Sequence, residues 1–338
     1  MKHMTQIIKN YEHVSLMVDV SYEDWKKIYD QLEYQSIDCI YDLINYRVSY
    51  LKSEKAKNLS LIFYSNKIPV AIVPIIIFNK KKNDNYDFIG FFAPSFDISI
   101  GKKSKLEIFK KYLDIINELK NKISIKLKFN ISCFSFNDYE FLSFLFDNNF
   151  KIFEVNKLFI IKNKNSIEKI FADFRKSYKP LINSNIKKYK PKIMNYENFD
   201  EKIWLSFRAM HKKIVGKITR SSNTWDHQKK ALKNDNAILV YLNVDDKFLG
   251  FSFFYYTNHE SIYASAVVDE KTKDQKIPVG HLLQYEAINF FVKHNIKNYK
   301  ITRQENSKTN SLKEENILKF KQGFANSSVN EFILKYEK

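Results

Sequence analysis

The hydrophobic and polar positions of the chain follow the same order twice. Residues 58–78 form two apolar runs on either side of a polar turn at 65–67, and residues 237–256 repeat this arrangement around a turn at 245–247. Short apolar runs that flank a polar turn predict a β-hairpin. The two predicted hairpins are about 180 residues apart, which indicates an internal repeat.

The order of patterns after each hairpin is also the same: a strand, an amphipathic helix, a strand, a short helix and a last strand. These elements are predicted at 88–92, 104–121, 123–129, 138–147 and 151–161 in the first half, and at 261–268, 280–294, 299–302, 311–320 and 329–336 in the second. Helices at 22–32 and 201–213 open the two halves. We therefore predict an α+β protein with two tandem domains, 1–163 and 164–338, each a mixed, mostly antiparallel sheet flanked by helices.

The junction between the halves contains a predicted helix with a basic face. Asn165 or Ser166 can cap it, apolar residues recur at spacings of three and four from 167 to 174, and Pro180 is expected to bend or end it. Arg175 and Tyr178 lie on its polar side. That side is either a solvated surface or a phosphate-binding surface that takes part in substrate binding.

Composition indicates a soluble protein of a reducing compartment. Cys39 and Cys133 are the two cysteines, which is too few for a disulfide scaffold or a metal site. The N-terminus does not resemble a secretory signal. The longest apolar run, 68–78, is too short for a transmembrane helix. We expect a cytoplasmic protein with no transmembrane segment and no metal.

The net charge of +18 leaves two interpretations open. It can serve an anionic partner such as tRNA, a nucleotide sugar or the anionic inner face of the membrane, where peripheral association would follow. Alternatively, it is a solvated lysine surface, because only five of the 56 basic residues are arginine.

One segment, 216–228, concentrates hydrogen-bonding side chains. It contains Arg220, Ser222, Asn223, Trp225 and Asp226, which together offer polar partners and an indole face for stacking on a sugar or nucleotide. The alternative is an N-cap in which Ser222 or Asn223 begins a helix over 224–232.

The order of elements and three motifs resemble a known family. The order resembles the GNAT acyltransferase fold, and two copies in tandem resemble its FemAB-like (FemABX) branch. The sequence LKFKQGFANS at 318–327 is similar to the Phe-Lys-x-Gly-Phe-Gly segment of Fem-type ligases, with Ala325 in place of the last glycine. FRKSYKPLINSNIKKY at 174–189 resembles the basic helix that opens their second domain, and HKKIVGKITRSSNTWDHQ at 211–228 resembles a loop of FemAB-like proteins.

The resemblance implies transfer of an acyl group, acetyl or aminoacyl, from acyl-CoA or aminoacyl-tRNA to an amine. It implies an acceptor that is a nucleotide- or lipid-linked amino sugar in cell-surface glycan synthesis, and a role for Lys321 in stabilising negative charge. A Fem-type, aminoacyl-tRNA-dependent ligase of peptidoglycan stem peptides is the alternative enzyme. A catalytically silent RNA-binding module is the alternative outside enzymes.

Three further residues are candidates for this chemistry. Asp269 ends the central strand of the second half and is either a catalytic carboxylate or the cap of a turn. His281, in the first helical turn, is a candidate general base or an exposed histidine. Arg303, at a strand end, binds an anionic substrate group or forms a surface ion pair. The resemblance also implies an oxyanion donor at a backbone N–H near Val267 or Val268.

The segment 269–284 bears on the acyl donor. Loops that bind the pyrophosphate of coenzyme A are rich in glycine, because successive backbone amides must meet the phosphates. This segment has one glycine, Gly280, and a proline, Pro278. We therefore expect a poor pyrophosphate loop, which favours the Fem-type donor without excluding acyl-CoA.

Overall fold

A computed structural model describes residues 2–51, 55–78, 87–122, 128–215, 220–305 and 311–336. The chain divides into two compact units. The first unit comprises Met1–Asn156 together with Asn330–Lys338, and the second comprises Lys157–Val329.

The first unit alternates helices and short strands. Its helices are α1 (Lys2–Lys9), α2 (Tyr22–Asp30), α3 (Tyr41–Tyr50), α4 (Lys102–Lys122) and α5 (Phe136–Asp147), with two 3-10 helices at Met17–Asp19 and Ile37–Cys39. Its strands are β1 (Val14–Leu16), β2 (Lys57–Asn58), β3 (Leu61–Ser65), β4 (Ile68–Val73), β5 (Ile75–Phe78), β6 (Asp87–Phe91), β7 (Ser95–Phe96) and β8 (Lys128–Ser132). Residues 123–127 of the predicted strand 123–129 lie outside the described residues.

Two sheets form in the first unit. One has the order β1-β3-β4-β7, and the other contains β2, β5, β6 and β8, with β6 parallel to β8. The predicted hairpin is confirmed for β3 and β4, but its apolar continuation belongs to the other sheet. Pro74 separates β4 from β5, because a proline has no N–H to donate to a ladder.

The core of the first unit lies along α4, whose apolar residues recur at spacings of three and four. Its buried residues include Tyr112, Ile115, Ile116 and Leu119 of α4, Phe129 and Ile131 of β8, and Phe141 and Leu145 of α5. The last strand of the chain, β15 (Ser327–Tyr336), pairs antiparallel with β8 through Glu331–Lys335. The sequence places this strand at the end of the second half, whereas its Asn330–Tyr336 portion belongs to the first unit.

The second unit carries the predicted site residues. Its helices are α6 (Ile167–Asp173), α7 (Tyr178–Asn185), α8 (Glu201–Val215), α9 (Ser222–Lys233), α10 (Lys271–Asp274), α11 (Val279–Lys293) and α12 (Leu312–Gln322). Its strands are β10 (Lys192–Met194), β11 (Ala237–Val244), β12 (Lys247–Tyr256), β13 (Glu260–Val268) and β14 (Asn298–Gln304), joined by the end of β9 (Phe150–Lys162).

The junction helix is shorter than predicted. Ser166 caps α6 as expected, and its side chain accepts the N–H of Lys169. The helix ends at Asp173, however, and Pro180 lies in the first turn of a second helix, α7. A proline is tolerated there because the first N–H groups of a helix have no partner within it.

The sheet of the second unit has the order β10-β11-β12-β13-β14-β9. The predicted hairpin of β11 and β12 is confirmed, and its turn residues Asp245 and Asp246 have φ of 46° and 61°, as a tight two-residue turn requires. All neighbouring strands are antiparallel except β13 and β14. This arrangement provides the scaffold of the candidate site.

The parallel pair β13–β14 is paired only over its first residues. Glu260–Ile262 pair with Asn298–Lys300, and the two strands then continue to Val268 and Gln304, all within the described residues, without pairing to each other. A register shift against β12 also leaves Ala264 without a partner. From Tyr263 onward, β13 therefore has a neighbouring strand on one side only.

Alternation along β12 defines two faces of this sheet. Phe251 and Phe253 contact Phe207 of α8. Phe254, which points to the opposite side, contacts Phe291 of α11. We call these the α8 face and the α11 face.

Candidate functional site

Lys321 lies on the α11 face, in the last turn of α12. Its ammonium is 4.8 Å from the centroid of the Tyr263 ring, and the residue is half-buried. Burial lowers the pKa of Lys321 from its usual value. Among the described residues, no carboxylate lies within ion-pairing distance of this ammonium. The charge is thus held by a ring and remains available to an anion.

Tyr178 and Gly323 fix the chain around Lys321. The hydroxyl of Tyr178 donates to the carbonyl oxygen of Phe320 at 3.1 Å. A Cβ at Gly323 would lie 2.3 Å from a carbon of the Tyr178 ring, so only glycine fits. The backbone N–H of Arg175 donates to the Gly323 carbonyl at 2.8 Å, while the Arg175 side chain is exposed. The structure therefore brings Tyr178 and the backbone of Arg175 next to the segment that carries Lys321.

His281 is enclosed by aromatic rings instead of being exposed. Its ring centroid is 4.5 Å from that of Tyr178, 5.1 Å from that of Phe320 and 5.9 Å from that of Phe324. Burial lowers its pKa to about 4. Its Nε2 atom is buried and has no hydrogen-bond partner in the described part of the chain. The imidazole is therefore neutral at pH 7, and it is a weaker base than an ordinary histidine.

Tyr263, Gln284 and Tyr299 are polar residues of the second unit that the sequence did not single out. Burial raises the pKa of Tyr263. The hydroxyl of Tyr299 donates to the Gln284 carbonyl oxygen at 2.8 Å. In the sequence, the only signal for these residues is that they are polar and lie within apolar segments.

Trp225 is part of the core on the α8 face. It is 7% exposed, and its ring contacts Trp204, Phe207 and His211. This packing corrects the prediction that its indole offers an open face for stacking. An amphipathic helix buries its largest apolar residue, and Trp225 occupies the buried side of α9.

Two arginines lie against Trp225. The guanidinium carbons of Arg220 and Arg208 are 5.1 Å and 5.8 Å from the ring centroid, and Arg220 donates to the side-chain oxygen of Gln228 at 3.1 Å. Burial, together with the charge of Arg220, lowers the pKa of His211 to about 4. Arg208, His211 and Gln228 were not identified from the sequence, since each lies on a helix with ordinary amphipathic spacing.

The first turn of α9 presents the remaining polar residues of this segment. The helix begins at Ser222, two residues before the predicted start, and Ser221 is its N-cap residue. No side chain caps it, but the hydroxyl of Thr224 donates to the Ser221 carbonyl. Ser222, Asn223 and Asp226 are exposed. Residues 216–219 lie outside the described part.

Asp269 and Arg303 lie at the ends of the two diverging strands. The Asp269 carboxylate accepts the N–H of Lys271 at 3.1 Å, which is the capping arrangement given as the alternative for this residue. Arg303 is exposed, and a guanidinium nitrogen is 4.0 Å from Glu305. Val267 and Val268 are paired with Phe251 and Gly250 of β12.

Several backbone N–H groups of the segment 269–284 donate within the segment. They are those of Lys271, Thr272, Gln275, Ile277, Val279, His281 and Leu282. A Cβ at Gly280 would lie 3.4 Å from the Phe320 ring, an ordinary contact distance, so packing does not require glycine at this position. A phosphate needs several converging amide donors, and these seven are already engaged.

Neither metal ligands nor membrane spans are evident in the described residues. They contain no group of three or more His, Cys, Asp and Glu side chains arranged to hold a metal ion. No described helix has both the length and the apolar character of a membrane span.

Comparison with known proteins gives matches at the level of structure. No family model and no curated protein matches the sequence. The crystal structure of FemX matches with a TM-score of 0.64 at 10% identity, covering 93% of this chain and 96% of that chain. A conserved protein of unknown function from Bacteroides thetaiotaomicron matches with a TM-score of 0.59 at 14% identity, covering 94% and 98%.

A third solved structure extends this result. It is the C-terminal domain (DUF2156) of a protein named as a lysylphosphatidylglycerol synthetase, from Agrobacterium fabrum, with a TM-score of 0.59 at 9% identity, covering 93% of this chain and 92% of that chain. Identities this low establish the fold and leave the activity to be argued from the site. The chain has a FemABX-like tandem GNAT fold.

Proposed function

We propose that this protein is an N-acyltransferase that transfers an acyl group, acetyl or aminoacyl, to the amine of a nucleotide- or lipid-linked amino sugar in cell-surface glycan synthesis. The observation that carries the proposal is the ammonium of Lys321. It is half-buried, lies over the Tyr263 ring, and has no carboxylate partner in the described part of the chain. Tyr263 is also the first residue of β13 beyond its pairing with β14.

This position suits the charge that develops during acyl transfer. A neutral amine nitrogen attacks the acyl carbonyl carbon, a C–N bond forms, and the carbonyl oxygen becomes an oxyanion. The C–O or C–S bond to the donor then breaks, and the nitrogen loses a proton. A fixed cation in a partly desolvated site stabilises the oxyanion more than it stabilises the neutral carbonyl, which lowers the barrier.

His281, which lies beside Tyr178 and Phe320, is suited to act as an uncharged group. His281 remains uncharged at pH 7 because its pKa is near 4, so it adds no positive charge that would repel the Lys321 ammonium. Its buried Nε2 can exchange a hydrogen bond with a substrate group that enters between the rings.

The hydrogen bonds within the segment 269–284 favour aminoacyl-tRNA over acyl-CoA as the acyl donor. Several amides of the segment 269–284 donate within the segment, which disfavours acyl-CoA. An ester donor such as aminoacyl-tRNA does not need this loop, and the net charge of +18 favours approach of an RNA. The Fem-type ligase, with a peptidoglycan stem peptide as acceptor, therefore remains the second candidate.

The acceptor is assigned to the α8 face. Arg220, with Ser222, Asn223 and Asp226 in the first turn of α9, offers charge-assisted and neutral hydrogen bonds to a sugar or its phosphate. Trp225 supports this surface from below by packing against Arg220. Because β13 and β14 are unpaired beyond Ile262, an acceptor amine can reach the α11 face between them.

Ligand binding to the full chain tests the proposal. The melting temperature is measured with acetyl-CoA, UDP-glucosamine or bulk aminoacyl-tRNA, each at about 50 mM and about 200 mM salt, a range over which multi-phosphate contacts weaken strongly. We expect salt-tolerant stabilisation by UDP-glucosamine and stabilisation by aminoacyl-tRNA but not by acetyl-CoA. Transfer of radiolabelled amino acid from the tRNA to the sugar amine is then measured directly.

The other outcomes are equally informative. Stabilisation by acetyl-CoA, with transfer of acetyl, would identify an N-acetyltransferase despite the loop. Transfer from aminoacyl-tRNA to a stem peptide but not to the sugar would identify a Fem-type ligase. RNA binding that disappears at the higher salt, with no sugar binding and no transfer, would refute the enzyme and favour an RNA-binding module.

A further inference from the structure

We infer that Tyr263 is a positioning residue whose ring holds the Lys321 ammonium at the point where β13 parts from β14, without neutralising its charge. The inference rests on the proposed function for its catalytic meaning. The placement itself can be tested without an activity assay.

The contact is specific to one strand position. The Lys321 nitrogen is 4.8 Å from the Tyr263 ring centroid, within the range of a cation–π interaction. Ile262, the preceding residue, makes the last pair with Lys300 of β14. Ala264, the following residue, is displaced from the ladder with β12 by the register shift. The ring thus stands at the start of the segment of β13 that no longer pairs with β14.

The ring is itself packed within the α11 face. It is half-buried and packs against the core of the second unit. Its centroid is 5.3 Å from that of Phe254, its pairing partner in β12. A half-buried ring packed in this way offers a defined surface to the ammonium.

An aromatic ring and a carboxylate can each hold a lysine ammonium in place, but they affect its positive charge differently. A carboxylate would cancel the charge and compete with an incoming oxyanion. A ring attracts the cation through its quadrupole and carries no net charge, so the positive field above the site persists. This explains how a half-buried lysine can keep a fixed position with no ion pair in the described part of the chain.

Tyr178 completes the placement from the backbone side. Its hydroxyl holds the Phe320 carbonyl, one residue before Lys321. One tyrosine therefore fixes the main chain of the last turn of α12, and the other fixes the end of the side chain. The two aromatic contacts have separable effects, which makes the role of Tyr263 measurable by itself.

The first arm of the test is NMR of the full chain with 13C-labelled lysine. Methylene protons above an aromatic ring are displaced upfield by the ring current, so several lysines that lie over rings should give displaced Cε–Hε signals, and the Lys321 signal is identified as the one absent from Lys321→Arg. The Lys321 signal should persist in Tyr263→Phe, which keeps the ring, and return to the ordinary position in Tyr263→Leu. A Lys321 signal that stays displaced in Tyr263→Leu would overturn the inference.

The second arm is kinetic and uses the transfer reaction of the wild-type chain. Tyr263→Leu should lower kcat about three- to tenfold with KM unchanged, the size expected for loss of a cation–π contact. Tyr263→Phe should retain most of the activity. Tyr285→Leu, which removes another tyrosine of the second unit that packs against Phe171, is the control and should leave kcat unchanged. A rise in KM alone in Tyr263→Leu would contradict a positioning role.

Folding is checked separately. If Tyr263→Leu fails to fold, pentafluorophenylalanine is incorporated at position 263, which keeps the shape and reverses the sign of the quadrupole; the same loss of kcat is expected. If the wild-type chain transfers no acyl group, the proposed function has failed, while the NMR arm still decides where the ammonium lies. A displaced Lys321 signal in an inactive protein would support the placement, and an undisplaced Lys321 signal would refute it.

Discussion

The two faces of the second unit's sheet each enclose a histidine in aromatic rings, yet they place their cations differently. On the α11 face, a single lysine ammonium lies over Tyr263. On the α8 face, two guanidinium groups lie against Trp225. Burial lowers the pKa of His281 on the first face and of His211 on the second to about 4. The neutral histidines are common to both faces, and the type of cation distinguishes them.

The two types of cation suit two different roles, stabilisation of a reacting oxyanion and binding of an anionic substrate group. A lysine ammonium is a compact point charge that can serve a small oxyanion, whereas an arginine fork binds a phosphate or carboxylate with two hydrogen bonds. From Tyr263 to Val268, β13 pairs with β12 but no longer with β14. Under the proposed function, the transfer step belongs to the α11 face and acceptor binding to the α8 face.

The largest effect is expected at Gly323. In Gly323→Ala, the new Cβ would meet the buried Tyr178 ring at 2.3 Å, so α7 or α12 must shift. We expect a loss of about 2–3 kcal/mol in unfolding free energy, as for overpacking of a core, measured by chemical denaturation. Gly101→Ala, where a Cβ meets nothing within 4 Å, should be close to neutral. Equal stability of Gly323→Ala and Gly101→Ala would show that the close approach of Gly323 to the Tyr178 ring does not constrain the α11 face.

The next effect is expected at Lys321 itself. Lys321→Met keeps the length of the side chain and removes the charge, so kcat should fall by roughly ten- to a hundredfold, as for one charge-stabilising group. KM and the melting temperature should change little. Lys319→Met, in the same turn and exposed, is the control. Unchanged turnover in Lys321→Met would exclude this lysine from the reaction.

The local elements around Lys321 could be predicted from the sequence, because strong signals specify them. Alternating apolar runs with a polar turn specified the hairpin of β11 and β12, and apolar spacing specified α11. The resemblance of the segment with Gly323 to Fem-type ligases is what makes Lys321 a candidate. The sequence places the following strand at the end of the second half, but most of it belongs to the first unit, because local pattern does not determine which sheet a strand joins.

The arrangement of side chains could not be predicted in the same way. Sequence reasoning treated Trp225 as an open stacking face, but whether an aromatic residue of an amphipathic helix is buried depends on tertiary packing. Nor does the sequence show that Lys321 and Trp225 lie on opposite faces of the sheet. Tyr263 was missed because its role comes from a contact with a residue 58 positions away in the chain.

The buried histidines predict a specific dependence of stability on pH. The folded pKa of His211 is lowered to about 4, and its unfolded value is near 6.5, so the unfolded chain binds more protons between these values. Stability should therefore fall as pH falls from about 6.5 toward 4. His211→Phe should reduce this loss between pH 7 and pH 5 by about 1–2 kcal/mol.

Denaturant unfolding at the two pH values checks this effect. His281→Phe should reduce the loss in the same window, since its pKa is lowered by the same cause. A wild-type loss that persists in full in both variants would show that other groups dominate the pH dependence. If only one variant reduces the loss of stability between pH 7 and pH 5, that variant identifies the face whose histidine contributes more to the loss.

The smallest effect is expected on the α8 face, where Arg220 should contribute to binding alone. Arg220→Met should raise the Kd for UDP-glucosamine about five- to tenfold, within the usual size of one hydrogen bond, with kcat unchanged. Arg220→Lys should not restore binding, because an ammonium cannot reproduce the two-point contact of a guanidinium. Lys230→Met, an exposed position on the same helix, is the matched control for loss of a charge. If Arg220→Met instead lowered kcat at an unchanged Kd, the division between a binding face and a reacting face would be wrong, and both faces would have to act on the same reacting group.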